Sequence, residues 1–364
     1  MILVSILGNF NSSIFPIFYE FKDSITRHII VHDDAYNELS RSKIVIKSLN
    51  YFKHKNKLNI ETEDFRIDED SLSSIINLVD YIKSNSNNIE DVYINITDGL
   101  SNIGVMIGSN LLEYGVKLLS YDMYENSYNL ISINSIQTIN LKSKMSIKEH
   151  FLLKGLNVVN FEDKKFAHKY ESYIRKLFEN YYNEFLIMKK DITKNDSSNT
   201  HKYPNALQLI NLMQLDLKTQ QKNITGGLFE FYIYLLIKDL GFDDIEIGIV
   251  LENKFSNKIS VNNEFDLLLM KDNHLHMIEC KFRKNLDMQA LVYKYSTLIN
   301  LIDDDGKVIL LTDKATYSHN LYDNNKQGLE YHRRALLNNI LIRGSVINNR
   351  NNFINDVKSF FNLY

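Results

Sequence analysis

The sequence predicts an α/β protein built as two blocks joined by helical chain, and three observations predict it. Its 364 residues are more than twice the ~150 of a common domain. Residues 1 to about 140 alternate strand-like and helix-like segments, the order of a doubly wound parallel sheet. From about Ala206 the order changes to helices, three strands, a helix and a further strand.

Taken along the chain, Met1 to Leu7 is a short apolar run that stops at Gly8-Asn9. Ile14 to Phe21 reads as a helix capped by Ser12 or Ser13, with Pro16 in its first turn, where proline costs little. His28 to Val31 is strand-like, and Ala35 to Phe52 and Ser71 to Lys83 are helical. Val92 to Ile96 forms a strand running into Thr97-Asp98-Gly99, followed by a helix from Ser101 to Tyr114 that Gly115 ends as a left-handed cap. Val116 to Tyr121 and Leu130 to Ile133 close the block as strands. In the middle, Ser146 to Leu153 and Lys164 to Lys190 carry apolar residues at helical spacing, and Asp191 to Asn205 has the Ser, Asn and Thr content of a linker. The last block contributes strands at Glu246 to Leu251, Glu264 to Met270 and His274 to Lys281, a helix over Asp287 to Ile302, a strand at Val308 to Thr312 and a C-terminal helical segment.

Composition narrows the function classes. With 44% hydrophobic and 24% charged residues the chain is globular rather than wholly disordered or fibrous. No apolar run approaches the roughly 18 to 20 residues that span a bilayer, and the N-terminus lacks a basic region and cleavage site. The single Cys280 excludes an internal disulfide or a cysteine-based zinc site. A soluble protein of the reducing cytoplasm with no membrane partner is therefore expected. The net charge of -3 means that contact with nucleic acid requires a local basic patch. Candidates are Arg283 and Lys284, and the segment from Lys326 to Arg350 with Arg333, Arg334 and Arg343 against Glu330 alone. A solvated helix face is the plain alternative for the latter.

The most informative stretch is NEFDLLLMKDNHLHMIECKFRK, residues 262 to 283. Two apolar runs flank Lys271-Asp272-Asn273-His274, which predicts a hairpin centred between Asp272 and Asn273. That register sets Asp266 opposite Glu279 and Glu264 opposite Lys281, with Glu279 and Lys281 on one face and Cys280 on the other. Like charges facing each other across apolar strands repel, and a hard divalent cation held by carboxylate oxygens relieves this. Lys281, one strand step beyond, is placed to orient or deprotonate a water and to stabilise a phosphorane-like transition state. Upstream, Gly226 to Ile237 is a helix apolar on nearly every side whose one acid is Glu230, a carboxylate that burial makes costly unless it is paired or binds metal. Thr225 is the expected cap of that helix. Downstream, Gln289 and Tyr293 share a helix face above the strand end, where they can touch substrate or hold Lys281, although core packing explains Tyr293 equally well. For the pair itself the alternative is a salt-bridged, solvent-exposed strand end.

In the first block two loops follow strands and lead into helices, Gly8 to Ser13 and Thr97 to Asn102. In open α/β sheets ligands bind at that edge, where backbone N–H groups ahead of a helix suit phosphate. Asn9, Phe10, Asn11, Ser12, Thr97, Asp98, Gly99, Ser101 and Asn102 are thus candidate ligand-binding residues. Neither loop is G-x-G-x-x-G, and no acid is placed for a dinucleotide ribose, which argues against a nicotinamide-dependent dehydrogenase.

Glu230, Asp266 and Glu279-Cys280-Lys281, in an α-β-β-β-α-β order over residues 225 to 312, resemble the PD-(D/E)xK or restriction-endonuclease-like nucleases. Phe265 stands where many members have proline. The resemblance implies metal ligands at Asp266 and Glu279, a catalytic lysine at Lys281 and a helix acid at Glu230, with Cys280 counted among the candidate ligands. INITDGLSNIGVMIGSNLLEYGVKLLSYD and ILVSILGNFNSS resemble the CARF domain, the Rossmann-like sensor of cyclic oligoadenylates, with Asp98 where that family usually has Thr, Ser or Gly. The combination resembles the Card1/Can2-like accessory nucleases of type III CRISPR systems. It implies a CARF domain over 1–140, a helical linker region over 141–215 and a nuclease domain over 216–364. It further implies a homodimer activated by cyclic tetra-adenylate, with Mn²⁺ or Mg²⁺ as cofactor and single-stranded RNA or DNA, or nicked duplex DNA, as substrate. Two other readings remain open here. One is a non-enzymatic CARF effector that binds nucleic acid, with a helix-turn-helix remnant around Ser146 to Leu156; the other is a front domain that degrades its own activator.

Overall fold

The computed structural model describes residues 1–8, 14–33, 39–68, 70–97, 101–160, 164–194, 200–253, 263–281, 287–303, 305–312 and 326–363. The chain divides into two compact units, Met1–Asn157 with Glu252–Ser260 and Val158–Leu251 with Val261–Tyr364. No helix among the described residues is long and apolar enough to cross a membrane.

The first unit runs β1 (Ile2–Ile6), α1 (Ile14–Phe21), β2 (Arg27–Asp33), α2 (Leu39–Asn56), β3 (Glu61–Ile67), α3 (Leu72–Ser84), β4 (Val92–Asn95), α4 (Ser101–Leu111), β5 (Lys117–Asp122), β6 (Ser127–Ser132), β7 (Ser135–Asn140) and α5 (Ile147–Leu153). Its seven-stranded sheet has the order β3-β2-β1-β4-β5-β6-β7, parallel through β5 and antiparallel at β6 and β7. Successive residues of β1 and β2 bury both faces, which is why they read as continuous apolar runs. Leu3 and Ile30 pack with Phe18 and Phe52 of α1 and α2. Val4 and Ile29 pack with Leu78 and Ile107 of α3 and α4. The order reverses at β1, parallel to both β2 and β4, so their C-terminal ends flank the crevice where doubly wound sheets take ligands.

The second unit's elements are β8 (Leu156–Asn160), α6 (Lys164–Lys169), α7 (Glu171–Asn180), α8 (Tyr182–Lys194), α9 (Pro204–Leu212), α10 (Leu228–Ile237), β9 (Asp244–Asn253), β10 (Asn263–Lys271), β11 (His274–Lys281), α11 (Met288–Ile302), β12 (Val308–Thr312), α12 (Lys326–Leu337), β13 (Ile340–Gly344) and α13 (Arg350–Phe360). The six-stranded sheet has the order β13-β12-β11-β10-β9-β8. Strands β9 to β11 are antiparallel, and β11 to β13 are parallel. One core joins Ile247, Leu267, Leu269 and Ile278 of the sheet to Phe178 of α7, Ile210 of α9 and Tyr232 of α10. The segment expected as connecting helices therefore supplies core side chains to this unit.

Several local expectations differ from the structure. β3, β7, β8 and β13 are not among the expected strands: β3 is an acidic edge strand with one buried residue, β7 is a mostly exposed edge strand, and β13 carries Arg343 inside a helical-looking basic stretch. Lys164 to Lys190 breaks into three helices at Tyr170 and Tyr181. Ser146 and Glu149 form a reciprocal capping box on α5, but a strand follows α5, so no helix-turn-helix forms there. Thr225 is not a cap. It lies in a π-helical turn, Asn223–Gly227, that continues into α10, and its hydroxyl donates to the Gln221 carbonyl at 2.8 Å.

Candidate active site

The geometry starts from the hairpin. Asp272 and Asn273 both take left-handed φ, 51° and 64°, as a two-residue primed turn requires and as Asp and Asn tolerate. The turn fixes the expected register, from Lys271↔His274 to Leu267↔Ile278. One pair further along lie Asp266 and Glu279. On the other side of β10, Asp266 falls at the register position of Gly248, whose φ of 60° interrupts the regular backbone of β9 beside the acid.

These strands bring Asp266, Glu279 and Lys281 together. Glu279 is 2% exposed. Lys281 Nζ donates to Glu279 Oε1 and lies 3.5 Å from Asp266 Oδ2. The Cys280 backbone N–H donates to Asp266 Oδ2 at 2.7 Å. Tyr295 of α11, buried at 1% exposure, donates its hydroxyl to Glu279 Oε1 at 2.6 Å. Glu279 Oε2 is buried with no hydrogen-bond partner. Burial, and then the charge of Glu279, pushes the Asp266 carboxyl up to about 7. Burial opposes the charge on Lys281, but Glu279 and Asp266 outweigh it and hold the ammonium above the ordinary lysine range. Burial, together with Asp266, Glu230 and Glu279, raises the Cys280 thiol, so this cysteine stays protonated.

Other expected residues fall elsewhere. Glu264 pairs with Lys222 at 2.9 Å in an exposed ion pair, not with Lys281. Glu230, in the first turn of α10, bears electrostatically on Cys280. Among the described residues, however, no three His, Cys, Asp or Glu side chains gather closely enough to hold a metal. Glu230 and Cys280 are thus not assembled with Asp266 and Glu279 into a larger ligand set, and the acidic donors in place are two. Tyr293, weighed as a partner for Lys281, is 59% exposed, and Gln289 is exposed as well. The tyrosine that reaches the cluster is Tyr295, two residues on, and its partner is Glu279 rather than Lys281. Arg333 and Arg334 lie exposed on α12. Arg343 is withdrawn from any nucleic-acid surface, because it is 8% exposed and bonds both carboxylate oxygens of Asp356, at 2.5 and 3.2 Å. Arg350 pairs with Glu179 at 2.8 Å. Arg283 and Lys284 lie outside the described residues.

In the first unit, Asn9, Phe10, Asn11, Ser12, Asp98 and Gly99 lie outside the described residues, as do the side chains of Ser101 and Asn102. Thr97 is described. Its backbone N–H and hydroxyl both donate to Asn95 Oδ1, and the hydroxyl accepts from the Tyr121 N–H at 2.8 Å, so it is committed to the end of β4. Asn95, which the sequence reading passed over, keeps Nδ2 buried without a partner at that same strand end.

Residues 217–305, which contain the hairpin, Glu230 and Tyr295, match the family model described as the Card1-like endonuclease domain. Over this segment the chain is similar to the Card1-like endonucleases. The likeness in fold extends over the whole length. Protein VC1899 from Vibrio cholerae superposes with a TM-score of 0.78 at 13% identity, over 100% of this chain and 98% of that one. Can2 from Sulfobacillus thermosulfidooxidans, solved in complex with cyclic tetra-adenylate, gives 0.71 at 14% identity over 99% of both chains. A type III CRISPR defence DNA nuclease activated by cyclic oligoadenylate gives 0.53 at 9% identity, over 86% of this chain and 45% of that one. No curated protein matches in sequence. The fold is therefore that of these solved proteins, a Rossmann-like α/β unit followed by a second α/β unit that contains the segment matching the Card1-like endonuclease domain.

Proposed function

We propose that this chain is a metal-dependent endonuclease, activated by cyclic tetra-adenylate and acting as a homodimer. It cleaves single-stranded RNA or DNA, or nicks duplex DNA, with low sequence specificity in type III CRISPR antiviral defence. The observation that carries the reading is the buried Asp266–Glu279–Lys281 cluster, with Glu279 Oε2 left unpartnered. The match of residues 217–305 to the Card1-like endonuclease domain supports the reaction class. The cyclic tetra-adenylate bound to Can2 supports the activator.

Two facing carboxylates with an unsatisfied buried oxygen fit a hard divalent cation, since Mg²⁺ and Mn²⁺ prefer oxygen donors and commonly take one or two carboxylates plus water. Asp266 and Glu279 would hold it, with Glu230 contributing field rather than a ligand. When bound, such an ion supplies positive charge to the phosphodiester as negative charge develops on it. Lys281 remains protonated beside its two carboxylates, which makes it a donor that orients water and stabilises the transition state rather than a base. Tyr295 and the Cys280 N–H fix the two carboxylates in place. In the first unit, the crevice at the C-terminal ends of β1 and β4 takes the anionic activator.

The test is to incubate the purified chain with labelled single-stranded RNA, single-stranded DNA and supercoiled plasmid, with and without cyclic tetra-adenylate and Mn²⁺. Cleavage that requires both additions is expected. Metal-independent binding of nucleic acid with no cleavage in any arm would replace this reading with a binding protein.

A further inference from the structure

The cluster contains one contact that the charges alone do not require. Glu279 has two oxygens, yet both of its side-chain donors converge on Oε1: the Lys281 ammonium, and the Tyr295 hydroxyl at 2.6 Å. Oε2 is buried and unpartnered. A carboxylate free to turn in a buried pocket would share its donors between its oxygens, because an unsatisfied charged oxygen is costly. Lys281 cannot hold this arrangement alone, since its flexible stem also serves Asp266. Tyr295 can, because its position is set by the helix. Asp287 caps α11 by accepting from the Ala290 N–H at 3.0 Å, and Met288, Val292, Tyr295 and Ile299 form its buried stripe. The residue is 1% exposed, so the packing of α11 sets where its hydroxyl lies.

We propose that Tyr295 is a positioning residue: by occupying Glu279 Oε1 it locks the carboxylate so that Oε2 stays open for a divalent cation. The inference rests on the reading of Asp266 and Glu279 as the cation-holding pair and adds to it the group that orients one of them. It assigns Tyr295 no contact with substrate. Lys281 and Tyr295 share Oε1, and Oε2 is the oxygen that would hold the cation.

The experiment uses the full chain with cyclic tetra-adenylate present and compares wild type, Tyr295→Phe and Glu279→Gln. Three quantities are measured well below each variant's Tm: the Mn²⁺ Kd by calorimetry without nucleic acid, the Mn²⁺ concentration for half-maximal cleavage, and kcat at saturating Mn²⁺. Tyr295→Phe is expected to raise the Kd and the half-saturating concentration together, by roughly 10- to 100-fold as for other groups that orient a metal ligand, with a smaller loss in kcat at saturation. A purely structural tyrosine would lower the Tm and leave the Kd where it was, and that result overturns the proposal. If Glu279→Gln binds Mn²⁺ and cleaves like wild type, the reading of the pair itself fails. If Glu279→Gln loses both while Tyr295→Phe keeps the wild-type Kd, only the role of Tyr295 falls.

Discussion

Each of the two sheets buries polar side chains, and they do so in opposite ways. In the first, Ser5 of β1 and His28 of β2 share a hydrogen bond of 2.8 Å in mid-sheet, and Phe18 stacks on the imidazole at 5.3 Å. Burial, aided by the Lys53 charge, lowers His28 to about 3, so the group is neutral at physiological pH. In the second, the polar residues lie at the end of the paired hairpin and are ionisable, two carboxyls and an ammonium, with Asp266 held up to about 7 and one Glu279 oxygen unsatisfied. His28 Nδ1 is also buried without a partner, but on a neutral ring packed under an aromatic side chain that costs less than an unsatisfied carboxylate oxygen. A charged group with an open lone pair is costly unless something else completes it, so charge state and position, more than burial, make the second cluster the candidate site.

The comparison breaks most directly at the charged cluster. Glu279→Ala and Lys281→Ala are each expected to lower cleavage of labelled single-stranded substrate by roughly 10²- to 10⁴-fold at saturating Mn²⁺ and activator. Undiminished rates in both would put the Asp266–Glu279–Lys281 cluster on the same footing as Ser5–His28. A control in the same unit is the pair between Arg343 of β13 and Asp356 of α13, which is charged and nearly buried but has both carboxylate oxygens engaged by the guanidinium. Asp356→Ala should destabilise the protein by about 3–5 kcal/mol in urea unfolding, by stranding a buried guanidinium, while the rate per folded molecule holds.

The third prediction separates the two sheets by the sign of their pH dependence. Asp266 is raised to about 7 in the native state, against about 3.9 unfolded. Its contribution to the ion-free protein is therefore full below pH ~4 and lost as pH rises through 7. His28 is lowered to about 3, so its contribution is full above about 6.5, its unfolded value, and lost as pH falls toward 3. His276 in the second sheet is lowered likewise, and the comparison is therefore made by variant rather than by unit. In chelator-treated protein, calorimetry from pH 4.5 to 8 should show that Asp266→Asn flattens the alkaline fall in Tm and His28→Asn flattens the acidic one. Identical slopes in wild type and both variants would remove the electrostatic contrast. The smallest effect is expected for Ser5→Ala, which loses one hydrogen bond of a neutral pair: about 1 kcal/mol of stability, with unchanged cleavage.

Much of the second unit was legible because its signals are local. Asp272-Asn273 favours a primed turn, the turn fixes the register, and period two puts Glu279 and Lys281 on one face; none of these steps needs a distant residue. The first sheet was legible in β1, β2 and β4 for a related reason, since strands buried on both faces read as apolar runs. The edge strands of this sheet, β3 and β7, give no such run, which is why Glu61–Ile67 and Ser135–Asn140 passed unread. Tyr295 gave a weak signal: it sits on the apolar stripe of α11 like any core residue, and only the need of a buried phenol for a partner singles it out from Tyr293.

The chain itself determined the two-block α/β plan, the hairpin and the meeting of two acids with a lysine, because turn propensity and side-chain alternation act over a few residues and are written in neighbouring letters. Tertiary packing alone decided which tyrosine reaches Glu279 and that Arg343 is spent on Asp356. Those outcomes depend on how a helix or strand seats against a sheet, where a rotation of one residue exchanges a buried contact for solvent, and spacing along the chain does not encode that angle.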